Sequence, residues 1–444
     1  MTKVVVPFPK GQRLRSPLAQ FFRVGDSHNK FAEMFASGGL PASRVVFDAG
    51  RLNRQTALAK ELKAEGVEIT IDTGAAELSS PARHGTFVRN STWLTKVPMS
   101  LLGPDDFSTE IIERIAEMAV AVGADRVLAP SHFLGDPSFD GWLKVDAASC
   151  SALRAALDRL GGGRIRIDYP VIQSVQGLVD PTSRKALAET LSILPVDAIW
   201  MRLSGLGKEP GPQKVRSLIR MLSGFHNIGK PVILDYCSGL NSEATEAFGV
   251  ASGSASGILE LDQFNARDWH KTPEEPDPDA RFARPRIVQV PGLGRGFYAN
   301  EFELLAKSRG GRKLLLQSEF VTVSSVEEMV RTRKQVQALY LVRSQEALQS
   351  VPDLNRAGHF LSKTMADAER RAKDVSFLKP TEGQAQAAGI DLTSLLKRTR
   401  AHAETMGKVA DALEKLHEER GMESPRVRAC DFNVDTALRR GDQR

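Results

Sequence analysis

Six stretches of the chain share one pattern, an apolar run rich in β-branched residues, and most of them stop at a polar residue and lead into a helix. They cover residues 44–48, 67–74, 126–130, 165–168, 198–202 and 230–235. In the second, Val67, Ile69 and Ile71 alternate and Gly74 breaks the run, as expected of a buried strand followed by a turn. That spacing sets Asp72 at the carboxyl end of a strand, the lip where α/β enzymes keep their chemistry. Amphipathic segments separate the runs. Residues 55–64 precede Gly66, and residues 109–122 follow the capping stretch Asp105-Asp-Phe-Ser108 and stop at Gly123. Helices are also predicted at 147–160, at 180–194 with Pro181 in the first turn, at 213–225 and at 242–248. Strands that alternate with helices indicate a parallel sheet. The number of repeats, with late short strands at 257–261 and 286–290, predicts a closed (β/α)8 TIM-like barrel over 41–310. Residues 1–40 read as an irregular N-terminal segment.

Beyond residue 310 the period becomes helical throughout, at 327–348, 356–373 and 392–420, which defines an α-helical C-terminal region over 311–444. In the last helix Leu395, Leu396, Met406, Val409, Leu413 and Leu416 form an apolar stripe, to be packed against the barrel, a protein partner or a second copy. Residues 272–279, acidic and rich in proline, read as an exposed loop, and 424–444 as a loose end.

Composition narrows the class. An apolar share of 41% and a charged share of 26% fit a soluble globular chain, and no run of about 18 apolar residues marks a membrane span. The short apolar patch near the start is cut by Pro7 and Pro9, unlike a secretory signal. The three cysteines, Cys150, Cys237 and Cys430, are far apart, which points to a reducing cytoplasmic setting and away from a disulfide framework or a cysteine zinc site. The net charge of +6 suits either a mildly basic soluble protein or one that meets a polyanion.

Candidate chemistry sits at the strand ends. Asp48, Asp72, Asp168 and Asp235, then Glu260 and Asp262, supply a proton or a nucleophile only if they converge across a barrel mouth. Each singly is equally a helix cap or a loop organiser. His132, at another strand end, is a base, a ligand or a hydrogen-bonded structural histidine. The histidines show no metal-binding spacing, and oxygen ligands for Mg²⁺ at Asp48, Asp72 and Asp235 are not demanded by the pattern. Small residues around Ser254, between Gly253 and Gly257, suit either tight packing or close approach of a ligand. Gly292-Leu-Gly-Arg-Gly296 reads as a turn.

With these residues in view, the chain resembles the tRNA-guanine transglycosylases, (β/α)8 enzymes that exchange a guanine for a 7-deazaguanine through an aspartyl intermediate. Ile71-Asp-Thr-Gly-Ala75 is similar to the family's Asp-Ser-Gly-Gly/Ala strand end. Tyr169-Pro-Val-Ile-Gln-Ser-Val-Gln-Gly177 is similar to its Ile-Val-Gln-Gly strand, with Gln173 or Gln176 in the base-contacting place. Residues 196–207 resemble the following strand, and Lys230-Pro-Val the next. The departures are as definite. The family's base-binding Asp falls near His132, its Gly-Gly contact falls on Arg202-Leu203, and its nucleophile falls within 253–257, where only Ser, Ala and Gly stand. The position of its zinc site, near residues 316–320, holds no cysteine, so no cofactor is expected.

The resemblance implies a diverged glycosyltransferase acting on or binding a nucleic acid, tRNA or DNA. In that reading Asp72 is the acid/base carboxylate and Asp235 or Asp262 the nucleophile. Asp48, His132, Gln173, Gln176, Arg202 and Ser254 form the surrounding pocket. Two other readings follow from the same residues: a non-catalytic nucleic-acid-binding or partner subunit that lost its nucleophile, and an unrelated small-molecule barrel enzyme, a lyase or isomerase.

Overall fold

The structure, a computed structural model, describes residues 17–94, 102–107, 109–136, 140–207, 209–271, 286–421 and 428–430. The predicted loop at 272–279, the residues up to 16 and most of 424–444 lie outside the described residues. Eight parallel strands close into a barrel in sequence order: β1 (Ala19–Arg23), β2 (Arg44–Asp48), β3 (Glu68–Asp72), β4 (Arg126–Leu128), β5 (Arg166–Ser174), β6 (Ala198–Ser204), β7 (Val232–Asp235) and β8 (Gly253–Ser256). Closure is made by β1 on β8, with Ala19 opposite Gly253 and Phe22 opposite Ser256. The intervening helices are α1 (His28–Ala36), α2 (Leu52–Ala64), α3 (His84–Asn90), α4 (Thr109–Val122), α5 (Trp142–Arg159), α6 (Pro181–Ile193), α7 (Pro212–Leu222) and α8 (Leu240–Ala247). Asp180 caps α6 by accepting from Ser183 N, with Pro181 in the first turn as the sequence implies.

Alternation along each strand divides the side chains between two cores. Outward residues such as Phe22, Val45, Phe47, Ile69, Ile71, Ile167, Val171, Ile199, Met201 and Leu234 pack under the helices. Inward residues Ala19, Phe21, Val46, Leu128, Ala198, Trp200, Ile233 and Ala255 fill the lumen as a separate cluster. Phe21 and Trp200, with ring centroids 4.8 Å apart, occupy its middle. Polar layers lie above and below them.

The lower layer is structural. Arg126 donates to Glu68 and to Asp168, whose Oδ2 also accepts from Trp200 Nε1 at 2.9 Å. Asp168 is therefore corrected from a lip carboxylate to a floor residue: β5 is nine residues long and Asp168 is its third. The floor is covered by a C-terminal piece of chain. Cys430 is buried in the luminal cluster with its Sγ 4.0 Å from Arg126 Nη2, and Ser252 Oγ donates to the Arg428 carbonyl.

Three other sequence expectations are corrected. The first barrel strand and first helix lie within the 1–40 segment read as irregular. The last barrel strand is 253–256, and 257–261 is a turn in which Leu259 and Leu261 both have positive φ. The strand near 286–290 exists, β9 (Ile287–Val290), but it pairs antiparallel with β10 (Arg295–Tyr298) outside the barrel. The Gly292–Gly294 turn joins them, and a Cβ on Gly294 would stand 2.7 Å from Leu240 Cδ1, so glycine is what lets the hairpin seat on α8.

The C-terminal region continues with α9 (Ala299–Lys307), α10 (Gly311–Leu316), α11 (Val326–Ser350), α12 (Arg356–Phe360) running through a π turn into α13 (Ala366–Ser376), α14 (Glu382–Ala387) and α15 (Leu392–Arg420). The apolar stripe of α15 is used within the chain: Leu395, Met406, Val409, Leu413 and Leu416 are buried, and α15 lies against α13 and α7. Arg216 and Arg220 of α7 both pair with Glu419 at its end. No helix among the described residues is long and apolar enough to cross a membrane.

Candidate functional site: a paired arginine and aspartate cluster at the barrel mouth

At the carboxyl ends of the strands the inward positions become charged. Arg23 ends β1, Asp48 ends β2, Asp72 ends β3, Arg202 stands near the end of β6 and Asp235 ends β7. Strand alternation aims all five into the mouth, and barrel closure brings them together. Arg23 donates Nε to Asp235 Oδ1 at 2.8 Å, Nη2 to Asp235 Oδ2 at 2.7 Å and Nη1 to Asp72 Oδ2 at 2.8 Å. Arg202 repeats the bridge, with Nε to Asp235 Oδ2 at 2.9 Å and Nη2 to Asp72 Oδ2 at 2.6 Å. Asp48 lies 3.7 Å from Arg23 Nη1 and accepts from Arg51 at 2.8 Å, while Arg51 also holds Asp26.

The three carboxylates are not equivalent. Asp235 has no exposed side-chain surface and four donors, the fourth being Tyr236 N at 2.9 Å. Asp72 Oδ2 takes both guanidiniums, whereas its Oδ1 accepts, among the described residues, from Gly74 N at 3.0 Å. That contact needs Gly74: its φ is +63°, and a Cβ there would meet Phe87 Cε2 at 2.7 Å. Asp48 is the most open, with 20% of its side chain exposed.

Their acidities separate for the same reasons. Burial would raise the Asp72 carboxyl, but Arg202 and Arg23 outweigh it and bring it down to about 2. Burial raises Asp48, and the Asp72 charge beside it adds to the rise against the pull of Arg23, Arg51 and Arg202. The mouth thus sets a carboxylate that is ionised at neutral pH next to one displaced toward holding its proton, the division of labour that acid/base sites use. Both guanidiniums gain from these partners and stay charged.

An aromatic roof covers the arginines. Tyr236, held at φ +54°, places its ring 4.3 Å from Arg23 Cζ and 5.2 Å from Arg202 Cζ, and the Phe264 ring lies 5.8 Å from Arg202 Cζ. Phe264 belongs to the segment after β8, which crosses the mouth. Phe133, Ile172, Ala266 and Trp269 form a small apolar cluster there.

Of the residues singled out in the sequence, Asp48, Asp72, Arg202 and Asp235 share this cluster. Asp262 lies in the crossing segment, near the Cys237 thiol. Ser254 points outward from β8, within 3.3 Å of Gln20 Oε1 and hydrogen-bonded to Glu246 of α8. Gln173 Oε1 accepts from Ser174 N at the lip, and Gln176 is exposed on the turn that follows. His132 is buried behind the mouth, stacked on Trp142 at 3.8 Å, with Nδ1 bonded to Asp146, which also accepts from Tyr169 OH at 2.6 Å.

Arg23, Arg51 and Tyr236 were not anticipated. Arg23 carries the signal that the other strands showed, a charged residue closing an apolar run, and Tyr236 directly follows Asp235. As for metals, Asp48, Asp72 and Asp235 are engaged by arginines, and no group of three or more His, Cys, Asp and Glu among the described residues is arranged to hold an ion. The chain matches no known family model and no curated protein.

Proposed function

We propose that the barrel mouth carries out glycosyl-bond chemistry on a nucleic acid, as a diverged relative of the tRNA-guanine transglycosylases that needs no cofactor. The observation that carries this reading is the pair Asp48 and Asp72, directly opposite one another on β2 and β3, one partly open and raised in pKa, the other ionised. Breaking a bond between an anomeric carbon and a base builds positive charge on the sugar and negative charge on the base, and two such carboxylates answer both.

In this scheme Asp72 is the nucleophile. Its Oδ1, with a lone pair to spare, bonds the anomeric carbon as the carbon–nitrogen bond breaks, and Asp48 gives its proton to the departing base. An incoming base then displaces Asp72 and returns a proton to Asp48. Asp235, saturated by four donors, holds Arg23 and Arg202 in place and attacks nothing. The resemblance assigned the proton to Asp72 and the attack to Asp235 or Asp262; in this scheme Asp72 attacks, Asp48 carries the proton and Asp235 only positions the arginines. The net charge of +6 supplies the long-range attraction to a phosphate backbone.

A salt series with labelled tRNA, single-stranded DNA and duplex DNA tests the reading, followed by guanine exchange on whichever binds. Binding tighter than about 1 µM with a steep salt slope is expected. Asp72→Asn should cut exchange by about 100-fold or more, and Asp48→Asn should remove the alkaline fall of the pH profile. Absence of binding to all three nucleic acids would overturn it and favour a small-molecule barrel enzyme. One observation favours the second reading, a non-catalytic binding subunit: both arginines and both buried aspartates satisfy one another. Tight binding with no exchange in any variant would select it.

A further inference from the structure

The segment after β8 does more than connect. Near its start Gly257 N donates to the Leu261 carbonyl, folding a tight turn in which Leu259 at φ +67° and Leu261 at φ +53° both adopt a conformation costly for a branched side chain. Between them Glu260 is held from outside the barrel. Lys334 of α11 donates Nζ to Glu260 Oε1 at 2.8 Å and to Ser27 Oγ at 2.7 Å, and Ser27 donates to Glu260 Oε2.

Past the turn the chain crosses the mouth. The Phe264 carbonyl accepts from Gly205 N at 3.3 Å, and Ala266 N donates to Ser204 Oγ at 2.8 Å, both beside the end of β6. On the far side the Trp269 carbonyl accepts from Ala82 N at 3.0 Å and from Ser80 Oγ at 2.8 Å, beyond β3. The crossing lies above a cluster whose side chains are at most 6% exposed except for Asp48. Asp72, with 6% of its side chain exposed, is covered from this side while the crossing stays in place.

Its hold combines hydrogen bonds at three anchors, the half-exposed Lys334–Glu260 pair and two strained residues with a small apolar cluster of Phe133, Ile172, Ala266 and Trp269. That cluster is separate from the main core, which suits a unit that opens below the cost of global unfolding.

We propose that residues 257–271 form a strap that opens as one unit to admit a ligand to the arginine–aspartate cluster, with Lys334 of the C-terminal helical region as its latch. The inference holds whatever reaction the cluster performs. It gives the appended helices a role in the barrel's accessibility: a partner that pulls Lys334 away from Glu260 unlocks the mouth.

Hydrogen–deuterium exchange of the full chain, read peptide by peptide, tests it. In Lys334→Ala, exchange is expected to rise about fivefold not only around 258–262 but also at Gly205 and Ala82, the partners of the far anchors. Peptides over β2 and β5 should keep their rates, and Lys334→Arg should restore most of the protection. Ser204→Ala loosens the strap from the opposite end and should raise exchange around Ser27, which keeps the test open if the lysine variant folds poorly. An increase confined to 258–262, or one shared by the barrel strands, would overturn the proposal.

Discussion

Replacing Arg23 by methionine is expected to lower the free energy of unfolding by about 3–5 kcal/mol, the loss typical of removing one member of a buried ionic network. Arg23 has no exposed side-chain surface and binds Asp235 through two nitrogens and Asp72 through the third, with Asp48 nearby. Without it Asp235 keeps one guanidinium donor and the Tyr236 amide, and Asp72 and Asp235 share Arg202 alone, while Asp48 keeps Arg51. The penalty comes from stranding buried charge, so it should shrink when a charge is removed with the cation. Arg23→Met combined with Asp235→Asn is expected to be more stable than Arg23→Met by itself, a favourable coupling visible in a double-mutant cycle. Denaturant titration at neutral pH gives both numbers. A loss below about 1 kcal/mol would place the network with ordinary surface ion pairs and remove the basis for calling the mouth preorganised.

The second large effect is on pH dependence, and it arises away from the mouth. On α8, Glu243 and Glu246 are buried against α11. Glu243 accepts from Ser344 and Tyr340, and Glu246 accepts from Gln345 and, from β8, Ser254, with Arg356 of α12 adding a weak pull. Burial raises Glu243 to about 7 and Glu246 to about 8, both well above the ordinary 4.5. In the native protein they hold protons through pH 5 to 7 that the unfolded chain has already released. Their contribution is therefore complete below about pH 4.5 and is lost as the pH rises through 7 to 8. At about 1.4 kcal/mol per unit of pKa difference, the two together amount to several kcal/mol. Urea titrations at pH 5 and pH 8.5 should show that loss, and the double variant Glu243→Gln, Glu246→Gln should flatten it, since Gln345 can turn its amide to meet the new one. An unchanged pH slope in the double variant would show that other groups carry the effect. Because α8 joins the barrel to α11, the alkaline protein should loosen first along that seam.

These two clusters show where a linear reading reaches and where it stops. The strand 44–48, the helix 392–420 and the aspartates at 48, 72 and 235 were legible because alternation, helical period and a polar stop are local properties of a few consecutive residues. The first strand was missed because Ala19-Gln-Phe-Phe-Arg23 is short, contains Gln20 on its outer face and has no β-branched residue, so its burial pattern is set by β2 and β8 on either side. The last strand was misplaced by a few residues because Gly253-Ser-Ala-Ser256 has no β-branched residue at all. It is a strand because its neighbours need one to close the barrel. Asp168 was put at the wrong end because β5 runs six residues past it, a length that the sequence does not announce.

What the sequence determined on its own is the class of fold, through its repeated strand and helix periods, and the residue types gathered at the strand ends. Which of those residues meet was decided only in three dimensions. Arg23 and Asp235 are 212 positions apart, yet they become neighbours because the first strand pairs with the last and the alternation of side chains turns both inward. The same alternation turned Ser254 out of the lumen and left Asp48 and Asp72 side by side within it. Their different acidities, and the strap that encloses them, depend on burial and on partners from four strands, β1, β2, β3 and β6, and a distant helix. Such long-range terms leave no local trace, because the energy of a buried charge is set by what surrounds it in space rather than by what adjoins it in the chain.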